Sequence, residues 1–516
     1  MEHHGTESYF VVGEGLLSES LGGRDEPLPT TAAAATPPFR FSRMGPSGIG
    51  HQLSDSALER LGTTMISAGG APASMPAGFT YFGQFVDHDL TFDRTKVMLG
   101  EHVAPADLVQ GRSPSLDLDS LYGAGPNDAG SAKFYEADGI HLKMGKTRAA
   151  DGVPAKDGFD LPRGAGNTAA KKRRAIIPDP RNDENLAVAQ THLAMIRFHN
   201  RVADTLPASV PPGKRFARAR AIVTRHYQWM LRTDYLPRIC APAVVNDVFN
   251  NGRKAFEVAA PAASVPTMPI EFSVAAFRLG HSMIRRDYNW NRIFDNGSGT
   301  LDFLFTFSAG SGTLGGDTRL ASNWIADFRR LYDFDEAGRA NLVVPPAKFN
   351  RAMRIDTKLV SPLRTLPGFP TKDANLAIRN LRRGRMVKLA TGQQMVRFLR
   401  SKGVNVSRLS RAQLRDGRNG VGLDSLTKQQ RDALLKDTPL WFYVLREAEF
   451  GGGRLKGAGA RIVVETFHRA IEGSKASIVR EPTWRPSLGP NKKTFRMVDL
   501  LLFAFKGKKG LLAPVG

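Results

Sequence analysis

The sequence predicts a mainly α fold with long irregular loops and little β structure. Three observations carry that reading. Apolar residues recur at three-to-four spacing in many windows from about residue 54 onward, alternating strand patterns are scarce, and Gly/Pro/Asp-rich stretches fill 97–170 and 295–320. Taken in order, Asp55 is placed to cap the helix SALERLG. Residues 185–205 carry Leu186, Ala189, Leu193, Ile196, Asn200 and Ala203 along one face. Residues 217–232 are amphipathic, with Ile222, Val223, Met230 and Leu231 among arginines. Ile270, Val274, Phe277, His281 and Ile284 advance by 4, 3, 4 and 3, which predicts one helix face with a histidine at its centre. Further helices are expected over 392–401 after a Thr391 cap, and over 426–435, 440–448 and 460–471.

Length and composition narrow the function classes. The chain has 516 residues, of which 41% are apolar and 23% charged, so it can bury a large core without staples. Its single cysteine, Cys240, excludes an internal disulfide framework and any multi-cysteine zinc site. Cys240 reads most simply as a small buried hydrophobe. No run reaches the ~18 apolar residues of a membrane span. The start MEHHGTESYFVVGEGLLSES lacks a basic segment followed by an apolar one, so no Sec-type signal is visible. The expectation is cytoplasmic residence, with leaderless export as the alternative. Lys and Arg total 72 against 49 Asp and Glu, a net charge of +23. The basic clusters 171–174, 379–385 and 506–509 are scattered and not interleaved with aromatics, which reads as a solvated basic surface rather than a nucleic-acid groove.

The most informative segment is Tyr81 to Asp93, YFGQFVDHDLTFD. On a helix Gln84 and His88 are i, i+4 and share a face, whereas Asp89 is rotated by about a quarter turn. A Gln and a His on one apolar-flanked face are either a satisfied buried pair or the polar wall of a reactive cavity. A histidine pair for a metal is absent, since His88 has no second histidine at i+4.

GQFVDHDLTFD resembles the distal-helix motif of the animal-type haem peroxidases, the peroxidase–cyclooxygenase superfamily. Further motifs follow in the family's order over roughly residues 80–395, with haem-site features of a bacterial-like member resembling the myeloperoxidase branch. The segment IIPDPRNDEN (176–185) is similar to the distal-arginine segment and carries that role to Arg181. The segment FRLGHS (277–282) is similar to the proximal helix, with His281 in the iron-ligand position and Arg278 in the haem-propionate position. The segment RNLRRGR (379–385) resembles the one that supplies the proximal asparagine, here Asn380. The resemblance therefore implies haem b held by His281, with His88 as proton shuttle, Arg181 as charge stabiliser and Gln84 as a hydrogen-bonding wall residue. Those residue types suit the work: a neutral imidazole is an axial ligand, its other N–H wants an acceptor, and a second imidazole can take and return one proton. His192 and His199 match no ligand position and read as structural.

The same resemblance implies a structural Ca2+. The loop SPSLDLDSLYG (113–123) is similar to the family's calcium loop, with side chains of Asp89, Ser113, Asp117 and Asp119 and the carbonyl of Ser115 as ligands. Asp87 and Glu184 align with carboxylates that form ester links to haem methyls in some members, so the capacity for ester-linked haem is present. Asn185 stands where some members carry a methionine bonded to a haem vinyl group, so that link is not expected and strong chloride oxidation is not either. Oxygenase members place a radical-forming tyrosine three residues before the proximal histidine; that position is Arg278, and Tyr288 lies seven residues after His281.

The expectation is an extended leader over 1–40 and one haem peroxidase domain over 41–516, with haem-site motifs in 80–395 and a C-terminal helical part in 396–516. The implied activity uses hydrogen peroxide to oxidise bromide, iodide, thiocyanate or phenolic donors through a ferryl intermediate. No specific nucleic-acid partner is expected. A fatty-acid dioxygenase of the same superfamily and a haem-free polyanion-binding protein are the alternatives.

Overall fold

A computed structural model describes residues 39–516 except 49–52, 67–68, 96, 98 and 367–373. Nearly all of the leader expected over 1–40 lies outside the described residues. The fold is mainly α, as the periodicity predicts. Its β structure among the described residues is four two-stranded ribbons: Phe41–Ser42 with Met268–Pro269, Pro72–Pro76 with Arg351–Met353, Gly145–Lys146 with Asp157–Asp160, and Asp287–Tyr288 with Gly299–Thr300.

The helix Leu186–Asp204 is the central strut. Asn185 caps it by accepting from Val188 N, and the helix packs against Gly78–Leu90, Pro212–Met230 and Met497–Ala504. It is buried nearly all round, which its apolar stripe alone does not foretell. Asp55–Met65 packs on Leu376–Met386 so closely that a Cβ at Gly62 would press on the backbone of Ile378. Leu440–Glu449 and Gly457–Glu472 close the other side, over residues 271–279. One contiguous apolar cluster runs from Phe41 to Val515, so the C-terminal helices share a core with the motif-bearing stretch. No helix among the described residues is long and apolar enough to cross a membrane.

Several expectations need correction. Ser54, not Asp55, is the first helix's cap, its Oγ accepting from Ala57 N, and Asp55 is the first helical residue. The stretch 295–320 is not all loop: Leu301–Thr306 is helical behind a Thr300 cap. The region 270–284 is not one regular helix. It is a π-turn over Glu271–Ala275, a 3-10 turn over Ala276–Leu279 and a short α-turn over Gly280–Met283. Ala275 breaks the helical path at φ −130° and ψ −73°. The i, i+5 register lets Phe272 and Phe277 stack at 4.6 Å, and Arg278 Nε donates to Ser273 O at 2.7 Å. The basic run 379–385 is not a solvated patch either. Arg379 and Arg383 are 2% exposed, Arg382 pairs with Glu59 at 2.6 Å, and Arg385 with Asp55 at 2.5 Å.

Candidate active site

The helix Gly78–Leu90 and the broken segment 277–283 face each other across a narrow cavity. Thr80, Gly83, Gln84 and Asp87 form one wall, and Phe277 to His281 with Met283 the other, with Tyr235 at the side. Arg278 reaches across to Asp87, NH1 to Oδ2 3.6 Å. Two glycines keep the space clear. A Cβ at Gly83 would collide with the Tyr235 hydroxyl, whereas one at Gly280 would meet nothing within 4 Å. His88, Arg181, Glu184 and Asn380 stand behind the walls rather than on them.

Behind the first wall, one turn beyond Gln84, His88 is fully buried and its Nδ1 lies 2.9 Å from Asn182 Oδ1. An amide oxygen only accepts, so the proton sits on Nδ1 and Nε2 keeps its lone pair. That Nε2 has no hydrogen-bond partner among the described residues. Burial and then the Arg181 charge push the His88 pKa down to about 3, so the imidazole is a neutral base at pH 7. Leaving a buried acceptor unmet costs about 1–3 kcal/mol, and the structural His192 carries the same cost at both ring nitrogens, so what sets His88 apart is its place on the helix that forms the cavity wall.

Arg181 is held by Asp179, which accepts from its Nε at 2.8 Å and its NH2 at 2.6 Å, and Arg181 NH2 also donates to His88 O at 3.0 Å. Its guanidinium stacks 4.4 Å from the Phe92 ring. Arg112 pairs with the same carboxylate. Burial alone would raise the Asp179 pKa, but Arg181 and Arg112 hold it well below the usual range, so the cluster stays ionic. Gln84 is fixed from two sides: it accepts from Asn185 Nδ2 at 2.9 Å and donates to Glu184 Oε2 at 3.4 Å. Two polar groups thus stand side by side, Gln84 with Glu184 and Asn185, and His88 with Arg181, Asn182 and Asp179.

On the opposite wall His281 lines the cavity and its Nδ1 lies 2.8 Å from Asn380 Nδ2, with Asn380 Oδ1 buried and without a hydrogen-bond partner among the described residues. Turning that amide by 180° puts its carbonyl at Nδ1, so the ring N–H donates to it and the amide's orphan oxygen is satisfied. Nε2 then keeps its lone pair, as an axial ligand must. Asn380 sits in the helix Leu376–Met386, capped by Asn375, and not in a loop. Trp441 packs edge-on to His281 at 6.4 Å and donates Nε1–H to Arg278 O at 3.3 Å. The apolar wall from Phe277, Leu279 and Met283, the open face at Gly280 and the unmet buried Nε2 of His88 fit a flat, redox-active macrocycle such as haem.

The 113–119 loop is drawn toward Asp89, and its polar groups have protein partners. Asp89 accepts from Leu118 N, Ser120 N and Ser120 Oγ, Asp117 accepts from Lys475 N, and Asp119 pairs with Arg220 at 3.0 Å. Ser113 Oγ accepts from Ser115 N at 3.4 Å. No group of three His, Cys, Asp or Glu side chains able to hold a metal occurs among the described residues. Burial and then Asp119 raise the pKa of Asp89 to about 7 and that of Asp117 to about 6, so the carboxylates crowd one another. Two positioning partners carry no mark of their own in the sequence. Asn182 and Asp179, which orient His88 and Arg181, sit inside the quoted motif at i+1 and i−2 of Arg181. Tyr235 reaches the cavity from a separate element, and nothing in the sequence near it signals that.

Comparison with known proteins fixes the class. Residues 99–406 match the family model for animal haem peroxidase, more than half of the chain, and the protein belongs to that family of oxidoreductases. The matched range holds Arg181, His281, Asn380 and the 113–119 loop, and begins after the helix that carries His88. Thyroid peroxidase of Rattus norvegicus is 27% identical over 190 residues, covering 35% of this chain and 20% of that protein. Its counterpart in Mus musculus is 26% identical over the same share. The match thus spans about a fifth of these relatives. Among solved structures, peroxidase A from Dictyostelium discoideum has a TM-score of 0.61 at 15% identity, covering 98% of both chains. A fatty acid alpha-dioxygenase from Arabidopsis thaliana has a TM-score of 0.57 at 12% identity, covering 97% of this chain and 85% of that one. These likenesses establish the peroxidase–cyclooxygenase helical fold.

Proposed function

We propose that the protein is a haem-dependent peroxidase that reduces hydrogen peroxide and oxidises small anions such as bromide, iodide or thiocyanate, or phenols. The observation that carries this reading is the neutral, fully buried His88 with a bare Nε2, set on the helix that faces His281 across one cavity. Haem, when bound to His281, supplies the redox centre that takes two electrons from the reductant and delivers them to peroxide. The chain's own residues handle the protons. His88 Nε2 takes the proton from the near peroxide oxygen while Asn182 holds Nδ1–H in place, and then returns it to the departing oxygen, which leaves as water. Arg181, kept cationic and oriented by Asp179, stabilises the negative charge that grows as the O–O bond breaks. Gln84, locked by Asn185 and Glu184, presents a hydrogen bond to a pocket water or bound anion. Asn380 fixes the tautomer of His281, and Arg278 offers a cation to a propionate.

A haem ester at Asp87 or Glu184 and a calcium ion bound by Asp89, Ser113, Ser115, Asp117 and Asp119 belong to the same proposal and rest on the family motif. One domain spanning 41–516 and residence in the cytoplasm are likewise proposed. The oxygenase reading loses support at Arg278, where it needs a tyrosine, and Tyr288 is buried and accepts from Tyr81 Oη at 2.8 Å. The purified protein reconstituted with haem should show a Soret band and oxidise a phenol or bromide only when peroxide is present. Oxygen uptake with an unsaturated fatty acid, or no Soret band, would overturn the reading.

A further inference from the structure

A second cavity lies away from the residues discussed above, between the Pro72–Pro76/Arg351–Met353 ribbon and the end of the helix Leu440–Glu449. Its wall holds Arg354, Asp356, Lys358, Arg418, Asn419 and Glu449. The two acids are not equivalent. Glu449 is fully committed: its oxygens accept from Thr357 Oγ1 at 2.6 Å, Arg418 N at 2.7 Å and Arg446 NH1 at 2.9 Å, and Arg446 neutralises it. Asp356, 5% exposed, accepts from Lys358 N at 2.7 Å through Oδ1, while Oδ2 has no donor among the described residues.

The cations show the opposite imbalance. Arginines elsewhere in the chain, such as Arg181, Arg253 and Arg329, are paired, yet the side chains of Arg354, Lys358 and Arg418 make no hydrogen bond or ion pair among the described residues. Three cations line this cavity, Asp356 lies in the field of Lys358 and Arg354 and offsets one charge, and the remaining positive excess attracts an anion. Asp356 then selects among such anions. A carboxylate repels an oxyanion that brings no proton, but accepts a hydrogen bond from one that does. At pH 7 inorganic phosphate always carries at least one P–O–H and sulfate carries none. Burial, opposed by the Lys358 N–H and aided by the nearby Glu449, sets the Asp356 pKa at about 6, so at pH 7 it is mostly the acceptor.

We propose that this cavity is a binding site for inorganic phosphate, with Arg354, Lys358 and Arg418 on the phosphate oxygens and Asp356 Oδ2 accepting from P–O–H. The site is independent of the haem reading. Calorimetric titration of the full chain at pH 7 and constant ionic strength should give one phosphate per chain, bound at least ten-fold more tightly than sulfate. Lys358→Gln with Arg418→Gln should weaken phosphate by at least ten-fold, and Asp356→Asn should erase the preference over sulfate. Lys492→Gln with Lys493→Gln, remote exposed cations, should change neither. Equal binding of sulfate by the unaltered chain, unchanged phosphate affinity in the first double variant, or tighter binding of phenyl phosphate than of inorganic phosphate would overturn the assignment. The sulfate comparison needs no variant, so a folding defect in one cannot rescue the proposal.

Discussion

On one wall of the cavity the helix Gly78–Leu90 runs unbroken through 13 residues, every one of them buried. On the other, Glu271 to Met283 passes from a π-turn through a 3-10 turn to a short α-turn. The regular wall puts Gln84 and His88 one turn apart and leaves their aim to partners on other segments, Asn182, Glu184 and Asn185. The irregular wall gives up regular helical hydrogen bonding and gains position: Arg278 folds back onto Ser273 while His281 is presented to the cavity beside Gly280. On the proposed reading, the difference teaches that proton handling would be placed by side-chain networks across elements, and metal ligation by a bend in the backbone. Damage to the first should cost rate and damage to the second should cost cofactor.

His88→Ala breaks the regular wall. With haem retained, the rate of reaction with peroxide should fall by about 10²–10⁴-fold in stopped-flow absorbance, because the helix Gly78–Leu90 carries no second imidazole. An unchanged rate would remove His88 from the chemistry. Asn380→Ala loosens the irregular wall without removing the ligand. Haem affinity should fall by about 10–100-fold while the peroxide rate of the loaded protein changes less. The reverse split would mean that the two walls do not divide the work in this way.

A smaller effect comes from His141, outside either wall, whose ring is gripped by Asp138 at 2.5 Å and Asp204 at 3.1 Å. Partial burial lowers its pKa, but the bonds to Asp138 and then Asp204 outweigh that and raise it above 6.5. The clamp's contribution is complete below pH 6.5 and is lost as pH rises through the folded-state value. In Asp138→Asn the melting temperature should therefore drop at about pH 5.5 and change little near pH 9. An equal drop at both would show that the clamp carries no charge. Peroxide kinetics should be untouched.

Much of this is legible in the sequence where local rules decide. Thr391 and Thr427 form capping boxes, and the helices behind them, Gly392–Ser401 and Lys428–Lys436, fall within two residues of their expected ends. Leu440–Glu449 agrees to within a residue at its C-terminus. The stripe over 270–284 misleads because every residue from Glu271 to Leu279 is buried, and an apolar stripe cannot distinguish one helical pitch from another when no face is wet. The shared face of Gln84 and His88 is legible from their spacing, but their roles, like those of Arg181, His281 and Asn380, are legible only through the family motif, since nothing local separates Asn380 from an ordinary helix residue. The partner Asn182 becomes visible only once residues far apart in the chain meet, whereas Asp179 holds Arg181 from two residues away. The basic run 379–385 shows the converse: charge in sequence says nothing about which side of a helix faces Glu59 and Asp55.

The central claim is that His281 is the haem ligand on the bent wall, and replacing its ring with a vacancy that free imidazole can fill tests this most directly. Haem titrated into the unaltered chain should saturate at one per chain with a histidine-ligated ferric spectrum. His281→Gly should lose that spectrum, and imidazole at about millimolar concentration, where a weakly held small ligand still binds, should restore it. A His281→Gly spectrum identical to that of the unaltered chain, in the absence of imidazole, would contradict the claim.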